Sequence, residues 1–333
     1  QLFHVQADKT ATSATEPKRL PNPDLRWETS EQTDIGIELG IFNNKLTIVA
    51  DYYEKTTKDL LVISSSPAYA GSEPPWENAG DIKNTGVEFE IGFRQKIGDL
   101  SLSIAGIAAK LKNEVTFISK EDYVLPGTTA NGIRVTQFEK GKPAWYFYGF
   151  ETNGIFQSQE EIDNYSDDDG EMIMPNAFPG DLIIVDQNND GEITDADRTM
   201  IGSPWPDWTF GLTLNADYKG FDLNIFMNAA VGNEVFIGYH RTDLINTNLP
   251  ERFYTERWTE DNPTNEMFRA SFSSQFNYEQ SDFWVEDGSW LKLRSVTLGY
   301  TLPENLMNIA LIKSLRVYVS GQNLLTFTKY PGM

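Results

Sequence analysis

The sequence predicts an all-β fold, an arc of a transmembrane antiparallel β-barrel with long external loops, and three observations predict it. Apolar and polar residues alternate one by one over long segments. Several of these segments run well past the 5–6 residues usual for a strand in a soluble protein, which is about what a tilted strand needs to cross a bilayer. Tight turns and long polar stretches connect the segments in alternation, so all short joints fall at one end of the sheet.

Taken in order, the first strand is expected at 31–42, where Ile35, Ile37, Leu39 and Ile41 alternate with Asp34, Gly36, Glu38 and Gly40. Successive strand side chains point to opposite faces, so one face is apolar and the other polar. The Asn43-Asn44 pair reads as a hairpin turn into a second strand at 46–58. The third, 84–96, sets Val87, Phe89, Ile91 and Phe93 against Glu88, Glu90, Gly92 and Arg94, and Gly98-Asp99 turns it into the fourth at 100–117. Phe210, Leu212 and Leu214 mark 207–218, and Lys219-Gly220 leads into 221–231 with Phe221, Leu223, Ile225 and Met227. The last pair, 284–302 and 314–327, is joined by 303–313, with room for a short helix at Pro303–Ile312. The long polar stretches are 59–83, 118–206 and 232–283, all expected on the extracellular side. Tyr52, Tyr53, Tyr218, Tyr300 and Phe327, near strand ends, fit interfacial aromatic girdles.

Eight strands carry far less loop than this in a small closed barrel, and the chain stops in a turn-like Tyr330-Pro331-Gly332-Met333, so the expectation is an arc of a larger barrel. Gln1–Asp8 has neither the basic nor the apolar region of a signal peptide, and the chain is read as a mature or internal piece.

Composition narrows the chemistry. Among 333 residues there are 27 Lys plus Arg against 49 Asp plus Glu, a net charge of −22, which speaks against nucleic acid as a partner. With no cysteine there is no disulfide, no thiolate zinc site and no thiol nucleophile. The histidines are His4 and His240, the latter in a long loop where solvation is its expected fate. No apolar run reaches the roughly 18 residues of a transmembrane helix, which leaves spanning strands open.

The best chemical motif is Asp186-Gln187-Asn188-Asn189-Asp190-Gly191-Glu192-Ile193-Thr194-Asp195-Ala196-Asp197. It has the spacing of a calcium loop, with oxygen side chains at alternate positions, a glycine for the sharp turn and an apolar residue two further on. Ligands would be the side chains of Asp186, Asn188, Asp190 and Asp197 and the carbonyl of Glu192. Asp197 stands where a longer Glu is usual, and a strand-like Gly180–Val185 precedes the loop in place of a helix, so a full EF-hand is not expected. The competing reading is a metal-free turn closed by Asx side chains. Asp167-Asp168-Asp169-Gly170 reads as a solvated loop, and Trp145-Tyr146-Phe147-Tyr148 as packing rather than a sugar platform. Trp205 and Trp208 are expected to flank a strand start at the membrane interface. Nothing singles out a catalytic pair, and no enzyme is expected.

Several stretches resemble the SusC/RagA family of TonB-linked outer-membrane receptors. They are Asn22-Pro23-Asp24-Leu25-Arg26-Trp27-Glu28-Thr29 with Asp34-Ile35-Gly36, Asp51-Tyr52-Tyr53 through Lys58-Asp59-Leu60-Leu61, Asn78 to Glu88, Asp186 to Gly202, Trp290 to Tyr300, and Gly321-Gln322-Asn323-Leu324-Leu325. They span nearly the whole chain in family order. The resemblance implies a 22-stranded barrel in the outer membrane of a Gram-negative, Bacteroidetes-type cell. It implies an N-terminal plug, a SusD-like surface lipoprotein partner, energy from TonB, and import of glycans or peptides. The reading for 1–333 is the C-terminal part of such a barrel with a large extracellular insertion at about 118–206, the plug and closing strands lying outside this chain. The lumen face would carry Glu38, Glu88, Glu90, Arg94, Lys292, Arg294 and Arg316. Two other classes stay open on the residues alone: a secreted calcium-binding β-sandwich that binds glycan, and a glycan hydrolase.

Overall fold

The computed structural model describes residues 2–5, 11–14, 19–63, 73–119, 125–126, 129–130, 133–238, 250–271, 276–303 and 314–332. Its main feature is one eight-stranded sheet in which every strand pairs antiparallel with the next. The strands are β1 (Thr29–Ile41), β2 (Leu46–Lys58), β3 (Gly80–Ile97), β4 (Leu100–Ile118), β5 (Trp208–Tyr218), β6 (Phe221–Val231), β7 (Trp290–Thr301) and β8 (Arg316–Thr328). Among the described residues, β1 and β8 each have one neighbour and form the edges.

Register sorts the side chains into rows. Ile37, Ala50, Phe89, Ala108, Phe210, Ala229, Leu291 and Phe327 stand side by side across all the strands. One residue along, Glu38, Val49, Glu90, Ile107, Gly211, Asn228, Lys292 and Thr326 form the next row, on the other face. The apolar face is bare: Ile37 is 62% exposed, Phe89 49% and Phe327 57%. Among the described residues no second sheet covers it, which is what a β-sandwich would require.

The turns follow the local chemistry. Asn43 and Asn44 adopt left-handed φ values of 57° and 60°, and Lys219 and Gly220 values of 46° and 87°, as tight hairpins with a right-handed twist demand. The segment between β7 and β8, where a short helix is expected, lies for the most part outside the described residues, as does His240.

Two expectations need correction. The strand expected at 284–302 begins only at Trp290. Before it, Asp282–Trp284 makes one 3-10 turn and Val285–Asp287 pairs with Glu234–Phe236 away from the sheet. Gly288 makes the break: its N–H bonds the Asn233 carbonyl, and a Cβ there would sit 2.5 Å from the Asn233 side chain. Tyr52 and Tyr53 cannot share a girdle, because adjacent strand residues face opposite ways. Tyr52 shares the outward row with Ile35 and Val87, whereas Tyr53 lies on the polar face with its ring over Gly86. An aromatic laid over a glycine of the neighbouring strand covers backbone that has no side chain of its own.

The long connections all leave from the end of the sheet opposite the tight turns, and together they build a platform. Strands β3 and β4, at 18 and 19 residues, exceed a bilayer crossing and carry the sheet up into it. There Val115 and Ala79 pack with Phe138 and Ala144, and Asn113 accepts the Ala144 N–H. The main platform core holds Phe150, Phe156, Ile162, Leu182, Trp258, Phe268 and Trp284. A small sheet of Thr199–Gly202, Tyr146–Gly149, Thr136–Phe138 and Leu125–Pro126 flanks it. Tyr146 is 1% and Phe147 8% exposed, so the aromatic run at 145–148 packs, as the sequence suggests. Helix Gln159–Asn164 starts on Ser158, whose hydroxyl accepts the Glu161 N–H.

Candidate functional site

The polar face of the sheet is unevenly charged. Glu38, Asp51, Glu88 and Glu90 cluster on β1–β3, with Asp51 directly across from Glu88. Like charges facing each other on adjacent strands repel. Lys292, Arg294 and Arg316 stand on β7 and β8. Arg316 pairs with Asp222, its Nε donating at 2.9 Å, and the pair closes over Gly299. Among the described residues none of Glu38, Asp51, Glu88, Glu90, Arg94, Lys292 or Arg294 sits in an ion pair. Every residue expected on a lumen face is on this one face, with carboxylates prevailing on β1–β3 beside Arg94 and cations on β7 and β8.

The second candidate lies in the platform. In the Asp186–Asp197 segment the side chains turn the chain back on itself. Asp186 accepts the N–H groups of Asp190 at 3.3 Å and Gly191 at 2.9 Å. Asn188 accepts from Asp190 N–H at 3.0 Å, and Asp190 from Glu192 N–H at 3.0 Å. Asn189 and Gly191 take left-handed φ values of 57° and 84°, which close the turn. Asp197 is fully buried at the stem, its oxygens accepting from Gln187 N–H at 3.0 Å and Thr194 N–H at 2.7 Å. Behind the turn, the Tyr165 hydroxyl donates to the Ile184 carbonyl at 2.6 Å and accepts the Asp186 N–H at 3.3 Å. Burial, reinforced by the Asp186 and Asp197 carboxylates, raises the Tyr165 pKa above the ordinary phenol value.

Asp186, Asn188 and Asp190 thus share one turn, with Asp197 tied to its base. Among the described residues no three of the His, Cys, Asp or Glu side chains gather in a metal-binding group. The donor set still suits a hard cation: each carboxylate oxygen has a second lone pair beyond the N–H it accepts, and Asn and carbonyl oxygens complete such shells.

The second acidic motif joins the first. Asp167 packs against Gly191, close enough that a Cβ at Gly191 would meet its carboxylate at 2.8 Å. Asp167, Glu171, Asp190 and Glu192 rim a cleft of about 550 Å³ whose floor is Ile173, Met174, Ala177, Ile193 and Phe276. Both motifs lie in the long stretch 118–206, but only tertiary structure shows that they meet. It also missed the node beneath. Asp181, 3% exposed, accepts from Arg269 Nε at 2.7 Å and Asn277 Nδ2 at 2.9 Å, joining one long connection to another. Trp205 belongs here too, its Nε1 donating to the Ala144 carbonyl at 2.7 Å, while Trp208 starts β5 and stacks on Phe210.

Comparison with known proteins places this architecture. Residues 7–324 match the TonB dependent receptor-like β-barrel family. TonB-dependent receptor P3 of Formosa agariphila is 33% identical over 319 residues, covering 93% of this chain and 31% of that protein. TonB-dependent receptor SusC of Bacteroides thetaiotaomicron is 25% identical over 331 residues, covering 97% and 31%. Among solved structures, the RagAB peptide transporter superposes with a TM-score of 0.73 at 26% identity, over 99% of this chain and 35% of the other. The chain therefore spans about a third of the length of these relatives.

Proposed function

The chain belongs to the TonB-dependent receptor β-barrel family, and from that premise we propose that it forms the C-terminal part of the barrel wall of an outer-membrane importer for glycans or peptides. The family comprises outer-membrane receptors and transporters rather than enzymes. The observation that carries the reading is the sheet itself, with a largely apolar face bare on one side and a charged face on the other. In lipid the bare face is in its proper solvent and the charged face lines the passage. Solute would move along that face once a plug is displaced by TonB.

The platform then stands on the extracellular side, where a SusD-like lipoprotein would meet it and hand over solute. The peptide transporter among the solved relatives favours peptides as one cargo class. In the same reading the Asp186–Asp197 loop holds a structural calcium ion that fixes the cleft rim. The test is the full-length receptor. It should need detergent for extraction, co-purify with a surface lipoprotein, and support TonB-dependent uptake of labelled oligopeptides or oligosaccharides. Recovery in the aqueous fraction without detergent would overturn the proposed role as part of a membrane-embedded barrel wall.

A further inference from the structure

We infer that Arg294 is an anion anchor on the lumen wall, built to take the carboxylate of a solute in transit; this rests on the import reading above. The side chain sits at one of the places where the sheet's register shifts. Between β6 and β7 the register passes from Met227 opposite Leu293 to Phe226 opposite Ser295, leaving Arg294 as an extra residue. Between β7 and β8 it passes from Leu293 opposite Leu325 to Ser295 opposite Gln322. Arg294 stands here on the polar face that alternation assigns it, next to the register shift, and it meets Asn228 and Asn323. Asn323 takes a left-handed φ of 49° inside β8, a conformation that asparagine tolerates better than most residues and that strands rarely contain.

The bonds formed there are of a particular kind. Arg294 Nε donates to Asn228 Oδ1 at 3.1 Å, and Nη1 donates to Asn323 Oδ1 at 3.1 Å. Both acceptors are neutral amides, one from each neighbouring strand. They orient the guanidinium without cancelling its charge. Among the described residues no carboxylate lies within ion-pair distance of it. A guanidinium has five N–H donors in a planar fork, so the Nη2 group and one Nη1 hydrogen remain to be satisfied. Lys292 stands on the same face, its ammonium 4.9 Å from the Trp290 ring centre, also without a carboxylate. The nearest pairing of opposite charge on these strands, Arg316 with Asp222, uses up its own charges at the tight-turn end.

An oriented, unneutralised fork on a face that also carries the Lys292 ammonium matches a carboxylate taken bidentately. Strain held in place by surrounding structure is common at ligand clamps. A cation serving only the fold would be expected to have an acidic partner, as Arg316 does. The carboxylate could arrive as the C-terminus of a peptide or as a uronate in an acidic glycan, and the experiment separates these sources.

The test uses the full-length receptor with its lipoprotein. Binding is measured for a hexapeptide with a free C-terminal carboxylate and for the same peptide amidated, and in a second arm for a tetrauronate and its neutral carboxyl-reduced counterpart. Wild type should prefer the acid form in one arm by about tenfold or more, the size of a charge-assisted hydrogen bond. Arg294→Gln should abolish the preference while leaving the neutral ligand's affinity unchanged, and Arg294→Lys should restore part of it. Equal affinity of wild type for both members in both arms overturns the anchor, while uptake itself stays intact. An Arg294→Gln receptor that keeps the preference overturns it too, as does one that loses acid and neutral ligand alike with a lowered Tm. A wild type that takes up no oligomer at all removes the import reading and the anchor with it.

Discussion

The wall and the platform are made from one chain, yet they bury opposite things. In the platform Phe156, Ile162, Leu182 and Met267 are each at most 2% exposed, an ordinary water-soluble core. In the wall Ile35, Ile37, Ile91 and Val319 are between 54% and 69% exposed, and the mid-strand apolar side chains largely share that face. The platform folds because water rejects its apolar groups, at about 25 cal/mol per Å² buried. The wall has no such core within itself. Its backbone bonds are satisfied strand to strand, and its apolar face is stable where lipid replaces water. A reader of burial alone would judge the wall misfolded; a reader of register sees a surface designed for another solvent.

The comparison breaks most visibly if the two ends of the wall are on the wrong sides. Cysteines introduced at Asp168 in the platform and at Asn44 in a tight turn should behave in an all-or-none way with an impermeant thiol reagent on intact cells. Asp168→Cys should label and Asn44→Cys should not. The reverse pattern would invert the topology. Next in size is the node that ties the platform's connections together. Asp181→Ala leaves the Arg269 guanidinium and the Asn277 amide without their acceptor, and losing one member of a buried pair typically costs about 3–5 kcal/mol. Limited proteolysis should cut the platform between 150 and 280, while the heat-modifiable gel shift of the barrel persists. Loss of both together would mean that wall and platform fold as one unit.

The wall's own prediction is one of solvent. Phe89→Arg puts a charge in the middle of the bare apolar row, at an expected cost of about 2–4 kcal/mol near the bilayer midplane. Glu90→Arg, one residue along, faces the charged side and should cost little. Assembly into the outer membrane, followed by urea-wash resistance, reads the difference. Greater damage from Glu90→Arg would show the faces to be assigned backwards.

How much of this could be read from the residues follows the same divide. Period-two alternation is a local property, so β1, β2, β5 and β6 fell within two residues of their expected ends. The faces of Glu38 through Arg316 followed from parity. What alternation cannot report is where a chain leaves a sheet, and so the start of β7 was misplaced at a glycine that allows close backbone approach. Platform contacts were illegible for a different reason. Asp181 meets Arg269 across 88 residues, and Asp167 reaches Gly191 only because both loops fold back over one core. No short-range pattern encodes such meetings. The register shift at Arg294 was hidden as well, since it shows only in the pairing of β7 with its two neighbours.

The smallest expected effect sharpens the platform side of the comparison, because it asks whether the Asp186–Asp197 turn is held by its own hydrogen bonds or also by an ion. The bonds alone close the turn: Asp186 accepts from Asp190 and Gly191, and Asp197 anchors the stem. Calcium would add only what mass action allows. At millimolar calcium and a dissociation constant of roughly 0.1–1 mM, the range of extracellular modules, the gain is about 0.4–1.4 kcal/mol. That is enough to change local opening and too little to move the wall. Chelator should therefore quicken proteolysis around 160–200 in wild type, Asp190→Ala should do the same, and chelator should add nothing to the variant. A separate readout avoids the ambiguity that Asp190 also accepts the Glu192 N–H and would loosen the turn without any metal. Terbium bound in the turn would lie beside Tyr165, whose hydroxyl accepts the Asp186 N–H, and should be sensitised by excitation of that phenol. Tyr165→Phe should remove most of the tyrosine-sensitised emission, and added calcium should quench it in wild type by competition. Emission that ignores both the Tyr165 substitution and calcium would leave the turn to its Asx side chains alone.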